Sequence, residues 1–256
     1  MEILGILNVT PDSFSDGGRW ASAEEALARG RQLAVDGATI IDVGGESTRP
    51  GATPITSDEE WDRIGPVVEG LIADGLTVSV DTYHAETARR AIAAGVPIIN
   101  DVTGGRIEPE IHTVVAGSEA QYVLQHSRGG AVTTNDTAVY DSIIDDVARE
   151  MSVAIEKAVA TGIDESRLIL DPGLGFSKVG EQDWDVLAGL DRLMAMLPGR
   201  WLIGHSRKRL LSSVSDDRDF ATALVTSHLV GRVWGVRVHD AKSNAAALTV
   251  ARRFHG

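Results

Sequence analysis

Six residues that could do chemistry lie far apart in the chain, yet each follows a short apolar run. Asp81 closes "TVSVD", Asn100 closes "PIIN" and Asp171 closes "RLILD"; Lys208 follows "RWLIGHSR", and Arg237 and His239 sit in "WGVRVH". Carboxylates and an amide oxygen accept hydrogen bonds, so Asp81, Asn100 and Asp171 suit a heterocycle rich in N–H donors. Arg237 and His239 are two residues apart and share one strand face, where they can converge on an anion. Asn8, at the end of "ILGILN", and Arg49, on a loop, complete the anion half, and the Asn8 carbonyl oxygen is also a suitable Mg²⁺ ligand. Lys208 could serve either half. The residues together describe a nitrogen heterocycle beside a pyrophosphate-like anion.

Polar residues near the other run ends read less sharply. Asp101 and Asp240 fit a helix N-cap as well as a ligand contact. His126 reads as a packed structural histidine. Asp81 and Asp171 end apolar runs and are expected to point into a common mouth. Glu46 and Ser47 follow the second run, Gln125 ends the fifth, and His205, Ser206 and Arg207 lie after the seventh.

The elements that would position these groups are β-rich runs alternating with helical patterns. The first strand is expected at 3–8, only two residues from the start. The first helix is expected over "SAEEALARGRQLAVDG", with Ser22 as N-cap and Gly37 just past its end. Further helices are expected over about Ser57–Ala73, "AETARRAIAAG", about Tyr140–Thr161, "WDVLAGLDRLMAML", "RDFATALVTSHLVG" and "DAKSNAAALTVARRF", with a weaker one before "QYVLQHS". The count is eight β-then-α units without a break in composition. That implies right-handed parallel crossovers and a closed (β/α)8 barrel in one domain, residues 1–256. An open doubly wound sheet would need a Gly-rich phosphate fingerprint after its first strand, and there is none. "GLGFSK", 173–178, reads as a turn.

Composition narrows the field. Of the 256 residues 43% are hydrophobic and 24% charged, and the net charge is −13 from 37 acidic and 24 basic residues. This argues against a nucleic-acid or anionic-membrane surface while leaving room for a local anion site. No run approaches a membrane span, and no signal peptide is evident. The absence of cysteine excludes thiolate catalysis and Cys-ligated zinc, and a cytoplasmic location is expected.

The long polar stretch "NVTPDSFSDGG", Asn8 to Gly18, is more than a turn requires. Together with "DVGGESTRPG", "VSVDT", "INDVTGG", "LDPGLGFSK", "GHSRK" and "RVHD", it resembles the motif series of the dihydropteroate synthase family, in the same order over nearly the whole chain. The resemblance implies a (β/α)8 barrel, usually dimeric. Its reaction would be condensation of 6-hydroxymethyl-7,8-dihydropterin diphosphate with p-aminobenzoate, aided by Mg²⁺ and releasing diphosphate. By motif position Asp81, Asn100, Asp171 and Lys208 would bind the pterin. Asn8, Arg237 and His239 would hold the diphosphate, and Asn8 the metal. Thr48 and Arg49, with Asp12, Phe14 and Asp16 of the first loop, would close over the site. Phe14, Pro50 and Ser206 would border the p-aminobenzoate pocket. One departure is Gln125-His126-Ser127, where the family commonly has Met-His-Met. Two other readings remain at this level: a pterin methyltransferase serving a corrinoid partner, which would need no anion half, and a non-catalytic pterin-binding paralogue.

Overall fold

A computed structural model of the chain describes residues 1–10, 18–47, 53–129 and 137–255. Asp12, Phe14, Asp16, Thr48, Arg49 and Pro50 lie outside the described residues.

Eight parallel strands close into one barrel in sequence order: β1 (Glu2–Asn8), β2 (Ile40–Gly44), β3 (Val78–Asp81), β4 (Ile98–Asp101), β5 (Gln121–Gln125), β6 (Leu168–Asp171), β7 (Arg200–Ile203) and β8 (Gly235–Val238). β1 pairs with β8 as well as β2, so the barrel has no edge. The helices described are α1 (Gly18–Val35), α2 (Ser57–Ala73), α3 (Ala85–Ala93), α4 (Glu110–Ala116), α5 (Ile143–Ala160), α6 (Gln182–Ala188), α7 (Leu190–Met196), α8 (Arg209–Ser212), α9 (Arg218–Leu229) and α10 (Ala241–His255). None of them is long and apolar enough to cross a membrane.

The expected eight units are all present. α2 has the expected bounds because Thr56 and Glu59 form a reciprocal capping box at its start. α1 begins at Gly18, a turn before the expected cap Ser22, since Arg, Trp and Ala offer no obstacle to helix. The stretch expected as one helix near 184–197 is two, α6 and α7, broken at Gly189. A Cβ at Gly189 would lie 2.5 Å from Ile144 Cδ1, so only glycine lets this segment approach α5 so closely.

Alternation along the strands sets the interior. Leu4, Ile40, Ile98, Val123, Ile169 and Leu202, one from each of six strands, form an apolar plug with Trp234 packed against it. The outer faces of the strands join the larger core beneath the helices. Two residues further along several of the same strands, the inward positions become Asp42, Asn100, Gln125 and Asp171. The barrel is thus closed and dry at one end and polar at the other, where the strands finish.

Candidate active site

The polar end is a set of charges buried in mutual contact. Register places Asp81 beside both Gly44 and Asn100, and Gln125 beside Asp171. Arg237 reaches across the barrel from β8: its Nε donates to Asp42 Oδ2 and its Nη2 to Asp81 Oδ2, both at 2.5 Å. Asn100 Nδ2 donates to the same Asp42 oxygen at 3.2 Å. Burial pushes the Asp81 carboxyl above its usual range, opposed by the adjacent guanidinium. The two carboxylates outweigh burial at Arg237 and hold it charged.

Asp42 was not among the residues the sequence singled out. It lies inside the apolar-looking run "TIIDVG" rather than at its end, and the second strand ends at Gly44, before Glu46. The signal that could have found it is parity, because it shares the inward face with Gly44. Its Oδ1 and the Oγ of Ser79, its register partner on β3, are buried without a hydrogen-bond partner among the described residues.

Asp171 and Lys208 form the other wall. The Asp171 Oδ1 accepts from Gly173 N–H at 2.7 Å, and Lys208 Nζ donates to the Leu174 carbonyl. A Cβ added to Gly204 would lie 3.3 Å from Asp171 Oδ2 and 3.8 Å from Lys208 Nζ. Glycine at the end of β7 therefore keeps a hollow between them. Burial lowers the Lys208 ammonium to about 8 and raises the Asp171 carboxyl, each restrained by the other's charge.

The turn after β6 is itself braced by a buried lysine. Lys178 donates to His126 Nδ1 at 3.0 Å, to Gly173 O at 3.0 Å and to Phe176 O at 3.2 Å. His126 Nε2 meets Glu150 Oε2 at 3.0 Å, and Arg128 grips the same carboxylate. His126 is thus the structural histidine expected, while "GLGFSK" is a turn whose last residue is wholly buried, which no sequence pattern announced. Gly173 has φ +68°, and a Cβ there would come within 2.0 Å of the His126 carbonyl, so the position admits only glycine. Gln125 Nε2 donates to Val102 O at 3.1 Å, which satisfies the donor end of this buried amide.

The remaining candidates divide clearly. Asp101 is not a helix cap, since α4 begins at Glu110 with Pro109 before it; its buried carboxylate braces the turn after β4, accepting from Thr103 N–H, Gly105 N–H and Tyr122 Oη–H. Asp240 caps α10 through Ser243 N–H at 3.2 Å. His205 does not face the mouth; it is buried against Ile203 O, Thr222 O and Thr226 Oγ1 and kept neutral, with burial lowering it to about 4. Arg207 adopts φ +56°, and its guanidinium pairs with both oxygens of Asp219. This left-handed residue reverses the chain so that Ser206 and Lys208 both reach the site. Ser206 Oγ lies 3.0 Å from His239 Nδ1. Arg237 and His239 share the end of β8 as expected, but Arg237 is held by carboxylates while His239 is tied to Ser206. Asn8 is exposed at the end of β1.

Glu46 is an anchor rather than a rim group. Its Oε1 accepts from Tyr83 Oη–H at 2.7 Å, and its Oε2 lies 3.1 Å from His84 Nε2. His84 Nδ1 lies 2.7 Å from Glu108 Oε1, whose other oxygen accepts the first amide of α3, Ala85 N–H, at 2.8 Å. Burial opposes charge on His84, but the two carboxylates overcome it and raise the imidazole to about 9. The imidazolium ties the loop after β2 to that after β4.

A parallel eight-stranded barrel whose strand ends bring buried acceptors and cations together in one mouth is a barrel enzyme for a charged, donor-rich small molecule. The chain belongs to the pterin binding enzyme family, which matches residues 4–239. It is 40% identical to the dihydropteroate synthase of Mycobacterium leprae, over 98% of this chain and 92% of the relative. The structure of the Xanthomonas albilineans dihydropteroate synthase with 4-aminobenzoic acid superposes with a TM-score of 0.90 at 39% identity, covering 100% of this chain and 93% of the other. The Anaplasma phagocytophilum dihydropteroate synthase with bound 6-hydroxymethylpterin-monophosphate gives a TM-score of 0.90 at 35% identity, covering 99% and 98%.

Proposed function

We propose that the chain is a dihydropteroate synthase, a transferase that condenses 6-hydroxymethyl-7,8-dihydropterin diphosphate with p-aminobenzoate to give 7,8-dihydropteroate and diphosphate for folate synthesis. The observation that carries the reading is the strand-end site, with Asp81, Asn100 and Asp171 as acceptors beside the Lys208 and Arg237 cations and the His239 imidazole.

The pterin's N–H edge pairs with Asp171, Asn100 and Asp81, with Lys208 over the adjoining ring acceptors. An arylamine is a weak nucleophile, so the residues act chiefly on departure of the leaving group. Arg237 and His239 stabilise charge growing on the diphosphate. The positive charge left on the pterin methylene spreads into the ring, where Asp81 and Asp171 stabilise it. No nucleophilic side chain is required. Ser206, held by His239, is assigned to the p-aminobenzoate side, and the motif positions of Phe14 and Pro50 assign them to the same substrate. Thr48, Arg49, Asp12 and Asp16 belong to the two loops assigned to closing over the substrates.

Magnesium fits this donor set in one way. Among the described residues no group of three or more His, Cys, Asp or Glu could hold a metal, whereas Asn8 offers one exposed carbonyl oxygen on the mouth. Such a site suits an ion held by one protein oxygen, substrate phosphate oxygens and water. Bound there, the ion would offset diphosphate charge.

The enzyme is further assigned to the cytoplasm and to a homodimer. Phe220 and Leu224 on α9 and Val250 and Phe254 on α10 are all more than half exposed, and α9 packs on α10, giving an apolar face suited to a second copy. Light scattering would read the mass directly.

The decisive experiment is a turnover assay with both substrates and Mg²⁺, following dihydropteroate and diphosphate together. Stoichiometric appearance of the two is expected. Binding of the pterin diphosphate without product at saturating p-aminobenzoate would refute the synthase reading.

A further inference from the structure

Arg237 is held unequally at its two ends. Nε is bound to Asp42 Oδ2 at 2.5 Å. That carboxylate has a side-chain exposure of 0% and shares its oxygen with Asn100. Nη2 is bound to Asp81 Oδ2, also at 2.5 Å, but the Asp81 side chain keeps 16% exposure at the mouth. Among the described residues Arg237 is the one hydrogen-bond donor to the Asp81 carboxylate. A guanidinium that left both carboxylates would strand a dry, charged Asp42, which is prohibitive. One that left Asp81 alone would strand nothing, provided another donor took its place.

We propose that Asp42 is the fixed anchor of Arg237 and that the Arg237–Asp81 contact is exchangeable. A ring donor displaces Nη2 from Asp81, and the guanidinium pivots about Asp42 to present its remaining N–H groups to the diphosphate. Asp42 Oδ1, buried and without a partner, is the acceptor the released Nη2 meets, which turns a single contact into a bidentate grip. Hydrogen bonds are conserved through the exchange. Asp42 is then a positioning residue, acting on substrate through Arg237 and Asn100. The consequence is coupling: the ring prepares the cation that receives the anion, and linkage makes the effect reciprocal. The inference rests on the pterin and diphosphate assignment above.

The test is titration calorimetry with 6-hydroxymethyl-7,8-dihydropterin and inorganic diphosphate, each alone and with the other saturating. In the unaltered chain each ligand should bind about tenfold more tightly in the presence of the other, by the same factor in both orders. Asp42→Asn should reduce that factor below about twofold, while Ser79→Ala, a neighbour at the same level of the barrel, should leave it in place. Asp81→Asn supplies a second reading that does not depend on Asp42→Asn folding. By releasing Nη2 it should make diphosphate alone bind more tightly than it does to the unaltered chain. Binding of both ligands without coupling, coupling that survives Asp42→Asn, or unchanged diphosphate affinity in Asp81→Asn would each overturn the exchange and leave the functional reading standing. Failure of the unaltered chain to bind either ligand would remove that reading, and the exchange with it.

Discussion

Replacing His84 by Gln tests the electrostatics that hold the second loop, and its size can be worked from the structure. In the fold the imidazole lies 3.1 Å from Glu46 and 2.7 Å from Glu108, and its pKa rises from 6.5 to about 9. A group whose pKa is higher folded than unfolded contributes its full stability below the unfolded value. That contribution is lost as pH rises through the folded value. At about 1.36 kcal/mol per pH unit, the rise corresponds to roughly 3 kcal/mol. The His84 side chain is 9% exposed but Glu108 is 36% exposed, so water screens one partner and about 2 kcal/mol is the better expectation. Urea denaturation at pH 6, 8 and 10 should therefore show His84→Gln least stable relative to the unaltered chain at pH 6. Most of that deficit should close by pH 10. A deficit that stays constant, or grows toward pH 10, would mean the folded imidazole is neutral and the ion pairs do not exist.

Three other outcomes are expected. Asp171→Asn should cost roughly 2–5 kcal/mol of pterin affinity by removing a buried charged acceptor; calorimetry showing a change within about twofold would make Asp171 merely a brace for Gly173. Gly204→Ala should place a methyl in the hollow between Asp171 and Lys208 and weaken pterin binding by about 1–2 kcal/mol; unaltered affinity would place the ring elsewhere. Sulfonamides, which mimic p-aminobenzoate, should raise the KM for that substrate without lowering kcat, and uninhibited turnover at saturating drug would contradict the shared pocket.

Strand and helix order was legible because nearly every unit carries its own punctuation. α2 shows its capping box outright, and "VSVD", "IIND" and "LILD" each end in a polar residue after a β-branched or leucine-rich run. Asp81, Asn100 and Asp171 could be found because an active site in this architecture collects at strand ends. What was hidden depends on the third dimension. Asp42 is a carboxylate inside an apolar run, and only closure of the barrel brings Arg237 to it. Lys178 is indistinguishable in sequence from a solvated turn lysine until His126 and the Gly173 carbonyl surround it. The break at Gly189 was masked by an apolar pattern that continues through it, and its cause, the Ile144 side chain, lies on another helix. His205 precedes Ser206 directly, yet the chain turns its ring toward Thr222 and Thr226.

The pairing of Asp42 with Arg237 also bears on how the chain reaches this state. The two residues are 195 positions apart, and a contact of that span carries a large loop-closure cost before it forms. Without β8 the carboxylates of Asp42 and Asp81 would lie in an open groove, because no earlier strand brings the guanidinium that pairs with them. Sealing that groove without β8 would leave two buried carboxyls without their cation, and burial would force protonation at Asp81. The last strand thus carries the cation that these carboxylates share, in the same segment that shuts the sheet. The charges that join the last strand to the sheet are those the proposed chemistry uses, so closing the barrel and assembling the strand-end part of the site are one event.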